Sequence, residues 1–569
     1  MPQNRLQVWG GIECSHVKIG DDIRDQLAES GHRERLSDLD LVAGLGLKRL
    51  RHSVIWPSVM AGGRPDFRWH DRRFARMREL GITPIAGLLH HGWGPDGLTP
   101  LDDAFAPAFA AFAGAVARRY PWVTDFTPIN EPVTTARFSA LYGLWHPHAR
   151  DEATFLRLTF GAIEATVAAM RAIRRVTPAA RLIQTEDVGR TFSTQRLAHQ
   201  AEYENGRRFL GFDLLCGRVG KAHVFYDRLV AAGVAPDRLA ALADDPCPPD
   251  IIGIDQYLTS DRFLDDDLAA HPHVRAGGNG RERYVDVAAA HEEALAPQTG
   301  VLPRLREVHA RYRLPVAITE NHNGCTREEQ LRWLMDGWDA ARTARREGVD
   351  VVAVTSWALF GAIDWNSLLC DRTGFYESGA FDLRHDPPRI TAVGRALATL
   401  ARTGEFDHPV LEAPGWWRPE GEDPREVLFA VDAPAGDLTD AIRAACQLRR
   451  LEFRAAGRHR DSRAGRLGLI RAVEEAGHLH LRWLSHGAER LVVEAAPKDG
   501  AGTDTAIHAF LDLVIDEAAG RFRLSRLAPA GQYRIERLAG RAADQPVRTG
   551  TERRSGRADP AHPRAPGPS

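Results

Sequence analysis

The chain has 569 residues, and its 74 lysine and arginine residues nearly balance 76 aspartate and glutamate residues, for a formal net charge of −2. Such a balance provides no overall positive field that would attract nucleic acid or an anionic membrane, so neither is expected as a partner. The length predicts one large domain plus a remainder. No uncharged apolar run reaches about 18 residues, and we expect a soluble, cytoplasmic protein whose oligomeric state the sequence leaves open.

Six cysteines are scattered along the chain without a Cys-x-x-Cys pair. This spacing disfavours both a zinc site and a disulfide framework, so we expect reduced thiols and no bound metal. Lysine occurs only at positions 18, 48, 221 and 498, which limits chemistry that depends on a lysine amine.

Short β-branched and apolar runs alternate with segments of helical periodicity up to about residue 403. The runs predict eight strands, near residues 6–10, 47–55, 83–89, 122–130, 181–186, 250–257, 315–320 and 350–357. The segments between them predict helices that include Arg33–Leu45, Arg72–Leu80, Ala104–Arg119, Ala153–Arg175, Leu302–Tyr312 and Glu328–Arg346. Eight such units close into a (β/α)8 TIM barrel, an α/β fold whose active site lies at the C-terminal ends of the strands.

Two of the predicted strands end in a glutamate. Glu131 follows the apolar run that ends at Asn130, and Glu320 follows the β-branched run that begins at Val316. The two glutamates are separated by 189 positions (320 − 131). Two carboxyl groups at strand ends of one barrel are what a retaining glycosidase needs, one as general acid/base and one as nucleophile.

Other polar and aromatic side chains also follow predicted strands. Arg51 lies in an apolar strand where an unpaired charge would be costly, so it requires an acidic partner. Glu320 is the natural candidate, with a structural carboxylate as the alternative. A single histidine or tryptophan more often belongs to a core, but the joint placement of His91, Tyr257 and Trp357 at strand ends favours sugar binding.

Both glutamate motifs resemble those of glycoside hydrolase family 1, the β-glucosidase-like retaining enzymes. Asn-Glu-Pro at 130–132 matches the family's acid/base motif, and Ile-Thr-Glu-Asn at 318–321 matches its nucleophile motif. The resemblance covers about residues 5–403, with the motifs in the expected order.

This resemblance implies a retaining β-glycosidase that uses Glu131 as general acid/base and Glu320 as nucleophile, with no metal or organic cofactor. The implied partner is a small-molecule or oligosaccharide glycoside. Asn130 would hydrogen-bond the sugar 2-hydroxyl. The substrate-binding positions correspond to Arg51, His91, Asn130, Tyr257, Trp357, Asp364 and Trp365.

The chain departs from the family pattern at sugar-binding positions. Val17 stands where the family has a glutamine, with only Glu13 or His16 nearby as substitutes. Asp364 replaces a glutamate and is expected to accept from sugar hydroxyls over a longer gap. Asp-Gln-Tyr at 255–257 replaces Asn-Tyr-Tyr. Glucose therefore cannot be assumed to be the sugar in the −1 subsite, where the glycosidic bond is cut.

The barrel domain is predicted to span residues 1–405, followed by a proline-rich linker at 406–426. Residues 427–544 faintly resemble dTDP-4-dehydrorhamnose reductases, with a first helix and second strand within Ala441–Gly457. The glycine-rich turn keeps at most one of three glycines, and no Tyr-x-x-x-Lys dyad exists, so this region is predicted to be degenerate. Residues 545–569, rich in Arg, Pro and Gly, are predicted to be disordered.

Three functions follow from these observations. The paired motifs favour a retaining β-glycoside hydrolase or a transglycosidase. The altered sugar contacts favour a catalytically weak sugar-binding barrel. A bifunctional enzyme that also reduces a keto sugar is disfavoured by the missing dyad. The sequence does not specify the −1 sugar or the aglycone, nor does it separate hydrolysis from transfer.

Overall fold

Eight parallel strands close into a barrel in the order β1-β8-β7-β6-β5-β4-β3-β2. The computed structural model describes residues 5–271, 274, 276–324, 327–418, 428–434, 436–448, 452–455, 468–485, 488–496, 500–518 and 533–536. The strands are β1 Gln7–Gly11, β2 Arg49–Ser53, β3 Thr83–His90, β4 Asp125–Asn130, β5 Arg181–Asp187, β6 Ile251–Asp255, β7 Val316–Asn321 and β8 Val351–Ser356. All eight predicted strands overlap these, which confirms the TIM-barrel prediction.

Helices follow each strand and surround the barrel. They include α1 Asp38–Gly44, α2 Arg68–Glu79, α3 Phe105–Arg119, α4 Pro132–Ala140, α5 Glu152–Val176, α6 Ala198–Arg207, α7 Val301–Tyr312, α8 Arg327–Arg346 and α9 Ala392–Thr403. Further helices are Gln26–Glu29, Trp56–Met60, Leu210–Leu215, Tyr226–Ala231 and Pro236–Asp244. Helices α4 and α5 connect β4 to β5, and α4 contributes Val133, Thr134, Arg137 and Phe138 to one wall of the cavity above the strand ends.

Apolar side chains fill the barrel interior below the site. One inner layer consists of Trp9, Ile85, Ile183, Ile251, Ala317 and Ala353, all buried. Strands β4 and β7 are buried along their whole length, as expected for strands that face the interior on one side and helices on the other. The polar residues at their C-terminal ends are therefore presented on a closed, rigid base.

Helix α5 is long and apolar enough to cross a membrane by composition, and it is the one such helix among the described residues. Its most apolar window is 72% buried inside the protein. The helix packs against α3 and serves as a barrel helix.

Residues beyond the barrel form a second, smaller α/β unit. Its six-stranded sheet has the order β10-β9-β11-β12-β13-β14, and only β10-β9-β11 are parallel among the described pairs. The strands are β9 Leu428–Asp432, β10 Glu452–Ala455, β11 Gly468–Glu475, β12 His478–Ser485, β13 Ala488–Ala495 and β14 Tyr533–Glu536, and the helices are α10 Asp437–Leu448 and α11 Gly500–Ala518. The helix and strand predicted within Ala441–Gly457 correspond to α10 and β10.

This smaller unit has its own core and touches the barrel. Within the described part of this unit, twenty buried residues from Val431 to Val514 form that core. From α11, His508 contacts the ring of Phe375 in the barrel, with ring centroids 4.4 Å apart. The disorder predicted for 545–569 falls outside the described residues.

Candidate active site

A cavity of about 610 Å³ opens at the C-terminal ends of the barrel strands. Arg51 and Asn130 lie at its base, hydrogen-bonded to each other. Asp364 is not among the lining residues. The other six predicted site residues line the cavity: His91, Glu131, Tyr257, Glu320, Trp357 and Trp365.

Glu131 directly follows β4 and is held in a left-handed backbone conformation, with φ at 43°. That conformation is unfavourable for a residue with a Cβ, and such residues concentrate at functional sites. Pro132 begins α4, where its missing N–H costs no helical hydrogen bond. The junction of strand and helix therefore fixes Glu131, which is only 4% exposed.

The surroundings of Glu131 favour its protonated form. Burial raises the pKa of Glu131 well above its ordinary value, and the negative charges of Asp255, Glu320 and Glu186 raise it further. The nearest basic group is Nε2 of His91, 3.4 Å from Oε2. Burial lowers the pKa of His91 to about 3, so the imidazole is neutral and does not offset those charges.

Glu320 lies within β7 and has two strong hydrogen-bond donors. Arg51 Nη1 donates to Oε1 at 2.7 Å, and the Tyr257 hydroxyl donates to Oε2 at 2.5 Å. Burial and the charge of Asp255 raise the pKa of Glu320, while Arg51 and Tyr257 lower it by stabilising the carboxylate. Because no donor of comparable strength contacts the Glu131 carboxyl group among the residues that the structure describes, Glu320 is the better holder of negative charge.

The partner predicted for Arg51 is the one observed. Besides its bond to Glu320, its Nη1 donates to the Thr319 carbonyl at 2.8 Å, and Nη2 donates to Asn130 Oδ1 at 2.5 Å. Its guanidinium also lies over the Trp357 ring, 4.6 Å from the centroid. Arg51 thus connects three strands beneath the cavity and orients both Asn130 and Glu320.

Asp255, at the end of β6, adds a third carboxylate that the sequence reasoning did not assign to the site. It is fully buried, and its Oδ1 accepts from Thr319 Oγ1 at 2.6 Å. An oxygen of each of Glu131, Asp255 and Glu320 lies within 4.8 Å of the others. Among the described residues, this is the one group of three side chains close enough to share a metal ion. Arg51, 3.9 Å from Asp255, already supplies positive charge there.

Trp357 forms part of the cavity base and is bonded to a further acidic residue. Its indole N–H donates to Glu13 Oε2 at 3.1 Å, while Glu13 Oε1 accepts from the Ser15 N–H and hydroxyl. Gly11 lies under the indole, where a Cβ would meet Trp357 Cε3 at 2.2 Å. Glu13 lines the cavity, so it is the acidic group available near the position where Val17 replaces a glutamine.

His16 and Val17 do not face the cavity. His16 lies 3.6 Å from Asp25, and Val17 is buried against Trp145 and Leu369. Of the two substitutes that the sequence suggested for the missing glutamine, the structure thus brings only Glu13 to the site.

Asp364 is placed differently from the sequence prediction. Its carboxylate accepts from Arg24 Nη2 at 2.8 Å, from the Thr373 hydroxyl at 2.6 Å and N–H at 3.1 Å, and from the Phe375 N–H at 2.9 Å. The Arg24 side chain is 1% exposed and needs this charge. The prediction that Asp364 binds sugar hydroxyls is therefore corrected: the carboxylate holds the loop that carries Trp365.

We expect Asp364→Ala to lower the free energy of unfolding by about 3 kcal/mol, because it leaves a buried guanidinium with one carboxylate fewer. Denaturant unfolding measures this. Asp371→Ala, an exposed position on the same loop, is the control and should change stability by less than about 0.5 kcal/mol. A normally stable Asp364→Ala protein with impaired glycoside turnover would return this carboxylate to a sugar-binding role.

Comparison with known proteins identifies the family. Residues 13–380 match the model of glycosyl hydrolase family 1. The chain belongs to this family. Relatives include β-glucosidase 47 of Arabidopsis thaliana, 24% identical over 461 residues that cover 74% of this chain and 83% of the relative. Another is the aryl-phospho-β-D-glucosidase BglC of Bacillus subtilis, 22% identical over 419 residues, 65% of this chain and 85% of the relative.

Solved family-1 structures share the barrel. The β-glucosidase from Thermotoga maritima in complex with deoxynojirimycin superimposes with a TM-score of 0.58 at 16% identity, over 72% of this chain and 99% of that chain. Its complex with glucoimidazole gives a TM-score of 0.57. At this identity the likeness establishes the fold, and the roles of individual residues depend on the geometry of the cavity.

Proposed function

We propose that this family-1 chain hydrolyses β-glycosides with retention of anomeric configuration. The observation that supports this most directly is the proximity of Glu131 and Glu320, whose carboxylate oxygens approach within 4.8 Å. Retaining glycosidases place their carboxyl groups about 5–5.5 Å apart, whereas inverting enzymes need about 6.5–9.5 Å to admit a water molecule.

In the first step Glu320 attacks the anomeric carbon, and the bond from that carbon to the aglycone oxygen breaks. Glu131 donates its proton to the departing oxygen. The surroundings suit each role, because Arg51 and Tyr257 stabilise the anionic form of Glu320 and buried negative neighbours keep the proton on Glu131.

In the second step water displaces Glu320 from the glycosyl–enzyme ester. Glu131, now ionised, accepts a proton from that water. Asn130, whose Oδ1 accepts from Arg51 and from the Thr185 hydroxyl at 2.8 Å, would donate from its side-chain amide to the sugar 2-hydroxyl. Trp357 offers an apolar face below the ring.

Proton NMR of an aryl β-glycoside during turnover tests the proposal. The first sugar product should be the β-anomer, which then mutarotates. An initial α-anomer would rule out retention. No turnover of any glycoside by pure folded protein would instead favour a sugar-binding barrel.

Steady-state kinetics with different aryl glycosides tests which sugar the −1 subsite accepts. The Asp364 carboxylate is hydrogen-bonded to Arg24, and Val17 is apolar. We therefore expect the site to discriminate weakly between sugars that differ at O4 or O6. The kcat/KM values for 4-nitrophenyl β-D-glucoside, β-D-galactoside and β-D-fucoside should agree within about a hundredfold, roughly 2.7 kcal/mol. A larger preference for the glucoside would show that Glu13 replaces the missing contacts, and Glu13→Ala, which removes the polar group, would then abolish that preference.

A cytoplasmic location and a reductase-like origin of the residues after the barrel stay predictions.

A further inference from the structure

The outer wall of the catalytic cavity includes a residue from beyond the barrel. Trp416, in the segment predicted to be a linker, lines the same cavity as Glu131 and Glu320. Its indole is stacked on the imidazole of His291, with ring centroids 5.8 Å apart and planes 12° apart. His291 also lines the cavity. Together these rings form a layered aromatic surface, which we call the Trp416 wall.

The segment that carries Trp416 is fixed to the barrel by its neighbours. Trp417 is 5% exposed, its indole N–H donates to Asp336 Oδ2 at 2.5 Å, and its ring packs edge-on against Trp333. Arg418 Nη2 lies 2.9 Å from the same Asp336 carboxylate. Both Asp336 and Trp333 belong to α8, so the segment has a defined place on the barrel.

The two adjacent tryptophans of this segment differ in their relation to the catalytic cavity. Trp417 is buried and does not line the cavity, whereas Trp416 packs against the barrel core with part of its ring but is only half-buried and lines the cavity. A tryptophan needed solely for attachment would be expected to be buried as Trp417 is. The separate position of Trp416 indicates a role in what the cavity binds.

Exposure indicates which part of a ligand the Trp416 wall would meet. The residues at the cavity base, Glu131, Glu320 and Trp357, are at most 4% exposed. They enclose the place where the glycosidic bond is cut. Because both rings of the Trp416 wall are more exposed than the cavity base and lie on segments outside the strand ends, the wall borders the side from which the leaving group departs.

We propose that the Trp416 wall binds the aglycone, and that its preferred aglycone is a ring with an apolar face, either an aromatic ring or the C–H face of a second pyranose. This inference rests on the proposed glycosidase function. Trp416 lies 36 positions beyond the last residue matched by the family model (416 − 380), so the specificity it confers belongs to this chain's own extension.

Glycosides that differ only in their leaving group test the proposal. For the sugar with the highest kcat/KM, we would compare the 4-nitrophenyl β-glycoside, the β-linked disaccharide and the β-glycosyl fluoride in full-length protein. Trp416→Ala should reduce kcat/KM at least about tenfold, roughly 1.4 kcal/mol, for one or both ring-bearing substrates. The glycosyl fluoride, which has no ring to stack, should stay within about twofold.

The pattern of losses separates the two ring chemistries. Loss for the aryl glycoside alone identifies an aromatic aglycone, loss for the disaccharide alone identifies a sugar, and loss for both identifies stacking that either ring satisfies. An equal loss for the fluoride, or no loss for either ring-bearing substrate, overturns the proposal. Failure of the unmodified protein to hydrolyse the fluoride would instead refute the glycosidase function itself.

Three further variants separate a role in binding from an effect on folding. His291→Ala removes the other ring of the wall and should reproduce the substrate-dependent loss, while Trp416→Phe should give an intermediate one. Trp122→Ala, at the opposite end of the barrel just before β4, is the matched control and should treat all three substrates alike. Equal effects of the Trp122 and Trp416 substitutions would overturn the proposal.

Discussion

Glu320→Gly is expected to lower kcat for an aryl β-glycoside by at least about 10⁵-fold, because it removes the carboxylate that forms the covalent intermediate. The effect exceeds that of any sugar contact, since it removes the reacting atom rather than a hydrogen bond. Steady-state kinetics on protein with unchanged circular dichroism measures it. Residual turnover within a hundredfold of the unmodified enzyme would contradict the assignment of Glu320.

Azide distinguishes the roles of the two glutamates. With Glu320→Gly, azide can enter the vacated space and attack from the nucleophile's side, giving an α-glycosyl azide. With Glu131→Ala and a good leaving group, Glu320 still forms the ester, and azide then opens it to give a β-glycosyl azide. NMR determines the anomeric configuration of each glycosyl azide.

Glu13→Gln is the matched control for the azide experiment. Glu13 is another buried carboxylate of the cavity, but it has no covalent role in the proposed mechanism. Its replacement should yield no glycosyl azide. The same azide from both catalytic variants, or azide product from Glu13→Gln, would show that the roles have been misassigned.

The barrel and its paired glutamates were predictable because each depends on local pattern. A β-branched run ending in Glu320 specifies both a buried strand and a carboxylate at its C-terminal end. The Arg51–Glu320 pair was also predictable, because a charge in an apolar strand must be neutralised nearby and both residues lie at the same end of the barrel.

Long-range contacts were not predictable in the same way. Asp364 meets Arg24 across 340 positions, and nothing in either local sequence specifies that pairing. Trp416 followed prolines that are typical of a linker, yet its neighbour Trp417 attaches the segment to Asp336. In both cases the deciding interaction forms only after the barrel has brought distant segments together.

Asp255 was predictable in its position but not in its interactions. Its place at the end of β6 was predicted, but its effect depends on how closely three strand ends approach. Each of Asp255, Glu131 and Glu320 has a carboxylate oxygen within 4.8 Å of the other two. Three acids cannot all ionise at that spacing without a large penalty, and Arg51 offsets only part of it.

Charge removal at Asp255 should therefore change the pH dependence of turnover. Glu131 is surrounded by the carboxylates of Asp255, Glu320, Glu186 and Asp187, all of which raise its pKa in addition to burial. Neutral His91 adds no counter-charge. Asp255 is the first of these charges in effect, so it contributes strongly to keeping the proton on the acid that the leaving group needs.

Asp255→Asn is expected to move the whole pH profile of kcat/KM to lower pH. Turnover requires protonated Glu131 and ionised Glu320, so the alkaline limb reports the pKa of Glu131 and the acid limb that of Glu320. Both pKa values are raised by the charge of Asp255. Removing the charge lowers both, and activity on the alkaline side should fall about ten- to a hundredfold.

The isosteric amide keeps an oxygen that can accept from Thr319, so the strand end should hold its shape. Asp187→Asn is the control, because Asp187 has the smallest effect of the four carboxylates on Glu131 and should shift the alkaline limb far less. The measurement is kcat/KM for one aryl glycoside across the pH range in which each protein stays folded. An unchanged alkaline limb in Asp255→Asn would mean that Asp255 is itself protonated during turnover and that burial and the other carboxylates keep the proton on Glu131.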